Sequence, residues 1–385
     1  MLDERRYDID ALRSIALFLL IFYHLAVSFT SLAKWILFVP NNKPIDNLWG
    51  LLNIFNIWRI PLLFIIAGIA LRFSFQNRGI KDLFKERLKR LGIPYLFGSI
   101  TFVPLYLIIS AQFIYGEINM DDSVGIVITS FFTGGHLWFL INILIYCFLL
   151  IPIINFLSNK KQGFKFLDSI LNLRGGVLIF SIPIVLEGHL LDLTAYNQEI
   201  GYGNSYAEYY GTNHGLLLGF LWFFIGIVLT SQGDKFWEYN LKNISTHTVI
   251  GIPLLVNRFV NEFEVVNKLI AFESFNFIFL ILGIGAKYLN KDSSQLQYYK
   301  QAIFPVYIVH MPIQMGVMYI FSDKERHYHG KFNELVSSFI EAVPSSTPIL
   351  FDIGRKVIEG NFYSAMKDCK KLMRYEAEVL KHVTQ

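Results

Sequence analysis

Cysteine and charge are what this chain has least of. It carries 2 Cys in 385 residues, and Asp, Glu, Lys and Arg together make up 17%, against about 25% in an ordinary soluble protein. Cys147 lies inside an apolar block and Cys369 near the C-terminus, which excludes a disulfide framework and offers no metal-ligand spacing. There is no Walker-type glycine loop, no dinucleotide fingerprint, no HExxH, no CxxC and no GxSxG nucleophile elbow. An ATPase domain within this chain is thereby excluded, and a serine triad has no visible carrier. No internal repeat of the secondary-transporter kind stands out. The segment MLDERRYDID opens with mixed charges, and no small-residue cleavage site follows the first apolar run. That block is therefore expected to be a retained helix and not a removed signal peptide.

What the chain does have is apolar surface: 54% of residues are hydrophobic and 36 are Phe. They gather into uninterrupted blocks near the ~20 residues that cross a bilayer. The expected fold is all-α, a polytopic transmembrane helical bundle of about nine to ten spans with a polar C-terminal tail. Nine candidate spans lie near 11–30, 48–71, 93–111, 137–157, 175–190, 214–231, 246–260, 268–288 and 301–321. The seventh is short and carries Arg258 at its end.

Positive residues mark cytoplasmic loops because basic segments resist translocation. The segment 72–90 holds seven of them, Arg72, Arg78, Lys81, Lys85, Arg87, Lys89 and Arg90, whereas 112–135 has none and contains Glu117, Asp121 and Asp122. Lys160, Lys161, Lys165 and Arg174 make 158–174 basic again, and 190–213 then lacks Lys and Arg. The alternation predicts a cytoplasmic N-terminus. Residues 1–321 read as the membrane domain and 322–385 as a polar tail of unknown role. Nine spans put that tail outside and ten return it to the cytoplasm; its side stays open.

Ionisable groups inside a span cost a few kcal/mol and usually face a bundle interior or a wet cavity. In RSIALFLLIFYH, Arg13 and His24 are eleven positions apart, about three turns and roughly 16 Å of rise along nearly one face. Arg13 can equally snorkel to headgroups or pair with Asp10, and His24 can be a packed histidine bonded to another helix. In FKERLKRLGIPYLFG, Arg87 and Arg90 are three apart ahead of Pro94. Paired guanidinium groups suit phosphate oxygens, although a topology signal needs only their charge. His136 in GGHLWFL, Glu187 in SIPIVLEGHL, His310 in FPVYIVHMPIQ and Arg59 in WRIPLLF complete the candidates.

RRYDIDALRSIALFLLIFYH resembles the first helix of the acyltransferase 3 family of integral membrane O-acyltransferases. That family carries Arg, ten residues, then His, the spacing of Arg13 and His24. RLKR at 87–90 matches its RxxR, IPLLFIIAGIAL resembles its second helix, and HLWFL and YIVHMPI match later segments. The wording is nearest to the glucans biosynthesis protein C type, which succinylates periplasmic glucans. The family usually adds a hydrophobic helix after the His-containing span, and here a polar tail stands there instead.

The resemblance implies transfer of an acetyl or succinyl group from cytoplasmic acyl-CoA to a hydroxyl of a sugar, glycan or exported polysaccharide. It implies His24 as general base, Arg13 as a positive group near the donor or the oxyanion, and Arg87 and Arg90 on the CoA phosphates. Arg59, His136, Glu187 and His310 are expected to bind substrate. The expected partners are acyl-CoA, the acceptor and membrane lipid, with no nucleic acid, no metal and no permanently bound cofactor. The expected location is the inner membrane. The oligomeric state is left open. A transporter or flippase for a glycan or lipid-linked substrate, with His24 and His310 as relay or binding groups, is the alternative. A non-catalytic membrane partner that organises glycan synthesis is the third reading.

Overall fold

A computed structural model describes residues 6–45, 48–76, 79–116, 120–159, 165–193 and 205–321. The expected tail 322–385, residues 194–204 of the loop 190–213, and Arg78, Glu117, Lys160 and Lys161 lie outside the described residues. The helices are α1 (Tyr7–Val27), α2 (Leu48–Gln76), α3 (Ile80–Arg87), α4 (Ile93–Tyr115), α5 (Met120–Thr133), α6 (Trp138–Asn159) and α7 (Lys165–Asn172). They continue with α8 (Ser181–Leu193), α9 (Asn213–Thr230), α10 (Asp234–Lys242), α11 (Ile244–Val260), α12 (Asn267–Tyr288) and α13 (Ser294–Phe321). No strand occurs among the described residues.

Among the described residues eight helical stretches are long and apolar enough to cross a bilayer. The chain is an all-α polytopic bundle, with one change to the expected count. Helix α11, the seventh expected span, has 17 residues, about 25 Å of rise against a hydrocarbon core of about 30 Å. Lipid-facing stripes follow the helical repeat: Ile182, Leu186 and Leu190 are exposed one turn apart on α8, as are Ile145, Leu149 and Ile153 on α6.

Two segments expected as loops are helical. Residues 80–87 form α3, which runs through a π turn at Leu88–Gly92 into α4. Its apolar positions recur at helical spacing: Leu83 is fully buried and Phe84 stacks on Phe148 with centroids 4.0 Å apart. Pro94 has no N–H for the Arg90 carbonyl, so the chain takes a wider turn there. Residues 120–133, read as part of an outer loop, form α5 instead. Asp121 stands in the first turn of that helix, where its dipole favours negative charge.

The chain divides into two compact units. The first comprises residues 1–20, 49–86 and 142–293. In it α2 and α9 approach through reciprocal glycines. A Cβ on Gly68 would lie 2.1 Å from the Phe223 carbonyl oxygen, and one on Gly226 would lie 2.4 Å from that of Ile65. Small residues that let backbones meet are the usual means of helix contact in lipid, where apolar side chains gain little from each other. The second unit comprises residues 21–48, 87–141 and 294–385. In it α13 packs on α4, and α5 folds back on α4, with Tyr95 Oη donating to the Phe131 carbonyl at 3.3 Å. The segment after α1 folds on itself, Asn41 N–H donating to Ser28 O and Ile45 N–H to Phe29 O, both at 2.8 Å.

Candidate active site

The second unit brings three of the expected site residues together. His24 stands in the last turn of α1, half-buried. His310, on α13, is 2% exposed. His24 Nδ1 lies 3.0 Å from His310 Nε2. The rings are tilted by only 8°, with centroids 5.2 Å apart. With the nitrogens so much closer than the centroids, the rings meet edge to edge in one plane. This is a lone-pair-directed hydrogen bond and not a face-to-face stack.

The surrounding carbonyls set the proton positions. His310 Nδ1 is 2.7 Å from the Tyr307 carbonyl oxygen, which can only accept, so Nδ1 carries the proton. With both rings neutral, His310 Nε2 is then an acceptor and His24 Nδ1–H donates to it. The lone pair of His24 consequently resides on Nε2. Phe38 meets the His24 ring edge-on at 5.7 Å. Nearby, Val39 N–H donates to Met315 Sδ at 3.3 Å, tying the segment after α1 to α13.

His136 joins this group through a proline. Pro312 interrupts α13, and its missing N–H leaves the Ile308 carbonyl without an intrahelical donor. His136 Nε2 sits 2.9 Å from that oxygen and donates to it. Tyr307 Oη returns a bond to the His136 carbonyl at 2.6 Å. His136 enters through Gly134 and Gly135, both at positive φ of 69° and 46°. A Cβ at Gly135 would lie 2.4 Å from Val103 Cγ1, so only glycine fits. The His136 ring stands at 89° to that of His310, with centroids 5.2 Å apart.

Arg87 and Arg90 belong to the same unit, at the π turn that opens α4. Arg87 is half-buried and Arg90 exposed. The widened turn means that the two do not follow simple α spacing.

Arg13, Arg59 and Glu187 belong to the first unit. Arg13 Nη2 donates to Asp10 Oδ1 at 3.0 Å, the pairing that the sequence left open as its alternative. Arg59 is buried in α2, with Nη2 3.3 Å from Asn56 Oδ1. Glu187 is buried on α8, and its Oε1 meets His214 Nδ1. His214 Nε2 donates to the Tyr206 carbonyl at 2.9 Å, and the Tyr209 ring stacks on it at 5.8 Å. Thr212 caps α9 just ahead, its Oγ1 accepting from Gly215 N–H at 2.9 Å.

Sequence reasoning did not single out His214, Tyr206 or the buried pair Arg258–Glu273. Arg258 Nε and Nη2 each donate to a Glu273 carboxylate oxygen at 2.9 Å, and Nη1 donates to the Asn53 carbonyl at 2.9 Å. Glu273 was passed over as one acidic residue in an apolar block. A charge at that depth signals a partner. Among the described residues no group of three His, Cys, Asp or Glu side chains is arranged to hold a metal ion.

The acyltransferase 3 family model, described as an acyltransferase domain, matches residues 6–350. The match continues past residue 321, where the sequence reading ends the membrane domain, and it does not single out the glucan-modifying branch. The chain is also similar to the probable flagellum biosynthesis repressor protein FlbT 1 of Bradyrhizobium diazoefficiens, 37% identical over 75 residues. That similarity takes in 20% of this chain and 49% of the other, so the chain spans about half the length of the curated relative it matches. No solved structure matches.

Proposed function

Because the chain belongs to the acyltransferase 3 family and is a membrane acyltransferase, we propose that it moves an acyl group from acyl-CoA to a hydroxyl of a sugar or glycan, with His24 as general base. The observation that carries this reading is the chain of hydrogen bonds from His24 Nδ1 to His310 Nε2 and from His310 Nδ1 to the Tyr307 carbonyl. It leaves the His24 lone pair on Nε2 and gives the imidazolium formed there a ready acceptor on its other nitrogen. A carboxylate plays that part in a serine-type triad. Here a neutral imidazole anchored to the backbone orients the base.

The step balances without a further reagent. The acceptor hydroxyl gives its proton to His24 Nε2 as its oxygen attacks the thioester carbonyl. The tetrahedral intermediate collapses, breaking the C–S bond. The proton returns from His24 to the departing thiolate, giving an O-acyl ester and CoA thiol.

Arg87 and Arg90 would meet the CoA phosphates from the cytoplasmic side of an inner-membrane protein whose N-terminus is cytoplasmic. Arg13 enters as an electrostatic contributor whose charge Asp10 partly offsets. Of the four residues expected to bind substrate, His310 is better read as the partner of the base and His136 as a neighbour of the reaction. Arg59 and Glu187 remain candidates for the acyl or acceptor group. Acetyl and succinyl donors are both compatible with this reading.

Purified protein, labelled acetyl-CoA or succinyl-CoA and glycan acceptors test it. His24→Ala is expected to lose transfer by about 10³-fold or more while accumulating normally in the membrane. Unchanged transfer in that variant would overturn the assignment. Uptake of glycan into vesicles without acylation would favour a carrier.

A further inference from the structure

His136 holds a resource that the acyl transfer above does not use. Its Nε2–H is committed to the Ile308 carbonyl, so Nδ1 carries a lone pair. His136 is 8% exposed, and Nδ1 is buried without a hydrogen-bond partner among the described residues. Leaving a buried acceptor unmade is costly, and the fold keeps this one in place with two separate devices. Pro312 frees the carbonyl that pins the ring, and Tyr307 Oη holds the His136 backbone. The rings around it belong to Tyr106, Tyr307 and His310, none of them acidic. That favours an uncharged partner over a cation. The His310 ring, 5.2 Å away, is the one bonded to His24.

We propose that the Nδ1 lone pair of His136 receives a neutral O–H or N–H donor carried by a substrate a few bonds from its reacting atom. His136 is thereby a specificity residue of the acyl transfer. The inference rests on the reading of His24 as base in the same cluster. Two substrate groups have this chemistry: a hydroxyl adjacent to the reacting one on the acceptor, and the first amide N–H of the pantetheine arm on the donor. An acceptor with one isolated hydroxyl, or a thioester lacking that amide, would leave the lone pair buried and unmade. Sites built to bond a substrate O–H or N–H reject the analogue without it far more strongly than apolar pockets reject a missing methylene.

Two arms of one experiment separate the sources, each read as thiol release, which also counts transfer to water. In the acceptor arm, kcat/KM with acetyl-CoA is compared for D-glucose and its monodeoxy derivatives. In the donor arm, S-acetyl-N-acetylcysteamine is compared with the analogue bearing an ester oxygen in place of the amide N–H. Wild type is expected to discriminate about tenfold or more in one arm. His136→Leu should lose that discrimination while still turning over. His136→Gln, which offers an N–H to Ile308 and an oxygen acceptor, should keep it. His136→Met replaces the Leu variant if that one does not accumulate. Equal discrimination in wild type and the apolar variant, or none in either arm, overturns the proposal. An active His24→Ala would overturn the base assignment instead and leave the comparison at His136 readable.

Discussion

In the first unit one buried ion pair is closed on itself: Arg258 and Glu273, 0% and 2% exposed, meet through two hydrogen bonds, and the last guanidinium nitrogen takes a backbone carbonyl. Glu187 and His214 are also joined, through Oε1 alone, with the far nitrogen of His214 on the Tyr206 carbonyl. In the second unit His24 meets two buried imidazoles, His310 and beyond it His136, oriented by backbone oxygens, whose directional capacity is only partly used. A closed ion pair stabilises one arrangement. An imidazole held by a carbonyl keeps a lone pair whose position is defined, and that is what proton transfer requires. The difference separates groups that hold the fold from groups suited to act.

The contrast predicts that stability and activity respond oppositely in the two units. The largest effect on stability is expected at Arg258. Arg258→Met leaves the Glu273 carboxylate buried without its partner and should cost about 3–5 kcal/mol, read as a lower unfolding temperature in detergent. Arg258→Met with Glu273→Leu removes both charges and should recover most of the loss. If the single variant is as stable as wild type, the pair is not the clamp described.

His310→Ala is the matching change in the second unit. It removes the acceptor that orients His24, so kcat should fall about tenfold to a hundredfold, with little change in KM for acyl-CoA. His310→Asn offers an amide at the site and should recover part of the loss. A fall in stability as large as that of Arg258→Met, with kcat unchanged, would erase the distinction between the units.

The bundle could be read early because bilayer thickness dictates the length of apolar blocks, whatever their order in the chain. Each expected span has a helix at its position; α11 stops at 17 residues, and α8 reaches 18 only with the 3-10 turn Gly176–Phe180 ahead of it. α5 escaped notice because Asp121, Asp122 and Gly125 interrupt its hydropathy, although the acidic start suits a helix. His24 was legible as a polar group in an apolar helix. Its partner was not: His310 lies 286 positions away, and a single sequence contains no record of which helices touch. Nor could tautomers be read, since they depend on the carbonyls of Tyr307 and Ile308. Pro312 did offer a signal, because a proline within a span frees the carbonyl four residues earlier. Arg13 with Asp10 needed only helical spacing, so that pairing was visible as an alternative from the start.

The smallest effect probes a carboxylate of the first unit that stands outside the closed pairs. Glu208 lies just before α9, half-buried, and burial pushes its pKa up, with the charge of His214 opposing this in part. A carboxyl raised in the folded state binds its proton more tightly there than in the unfolded chain. Its contribution to stability is present below the unfolded pKa and is lost as pH rises through the folded one. Glu208→Gln, always neutral, should therefore match wild type in acid and become the more stable protein as pH rises through that window. Unfolding temperatures of both proteins across mildly acidic to neutral pH provide the measurement. A gap that stays constant, or one that closes as pH rises, would mean that the charge of His214 offsets the burial of Glu208 in full.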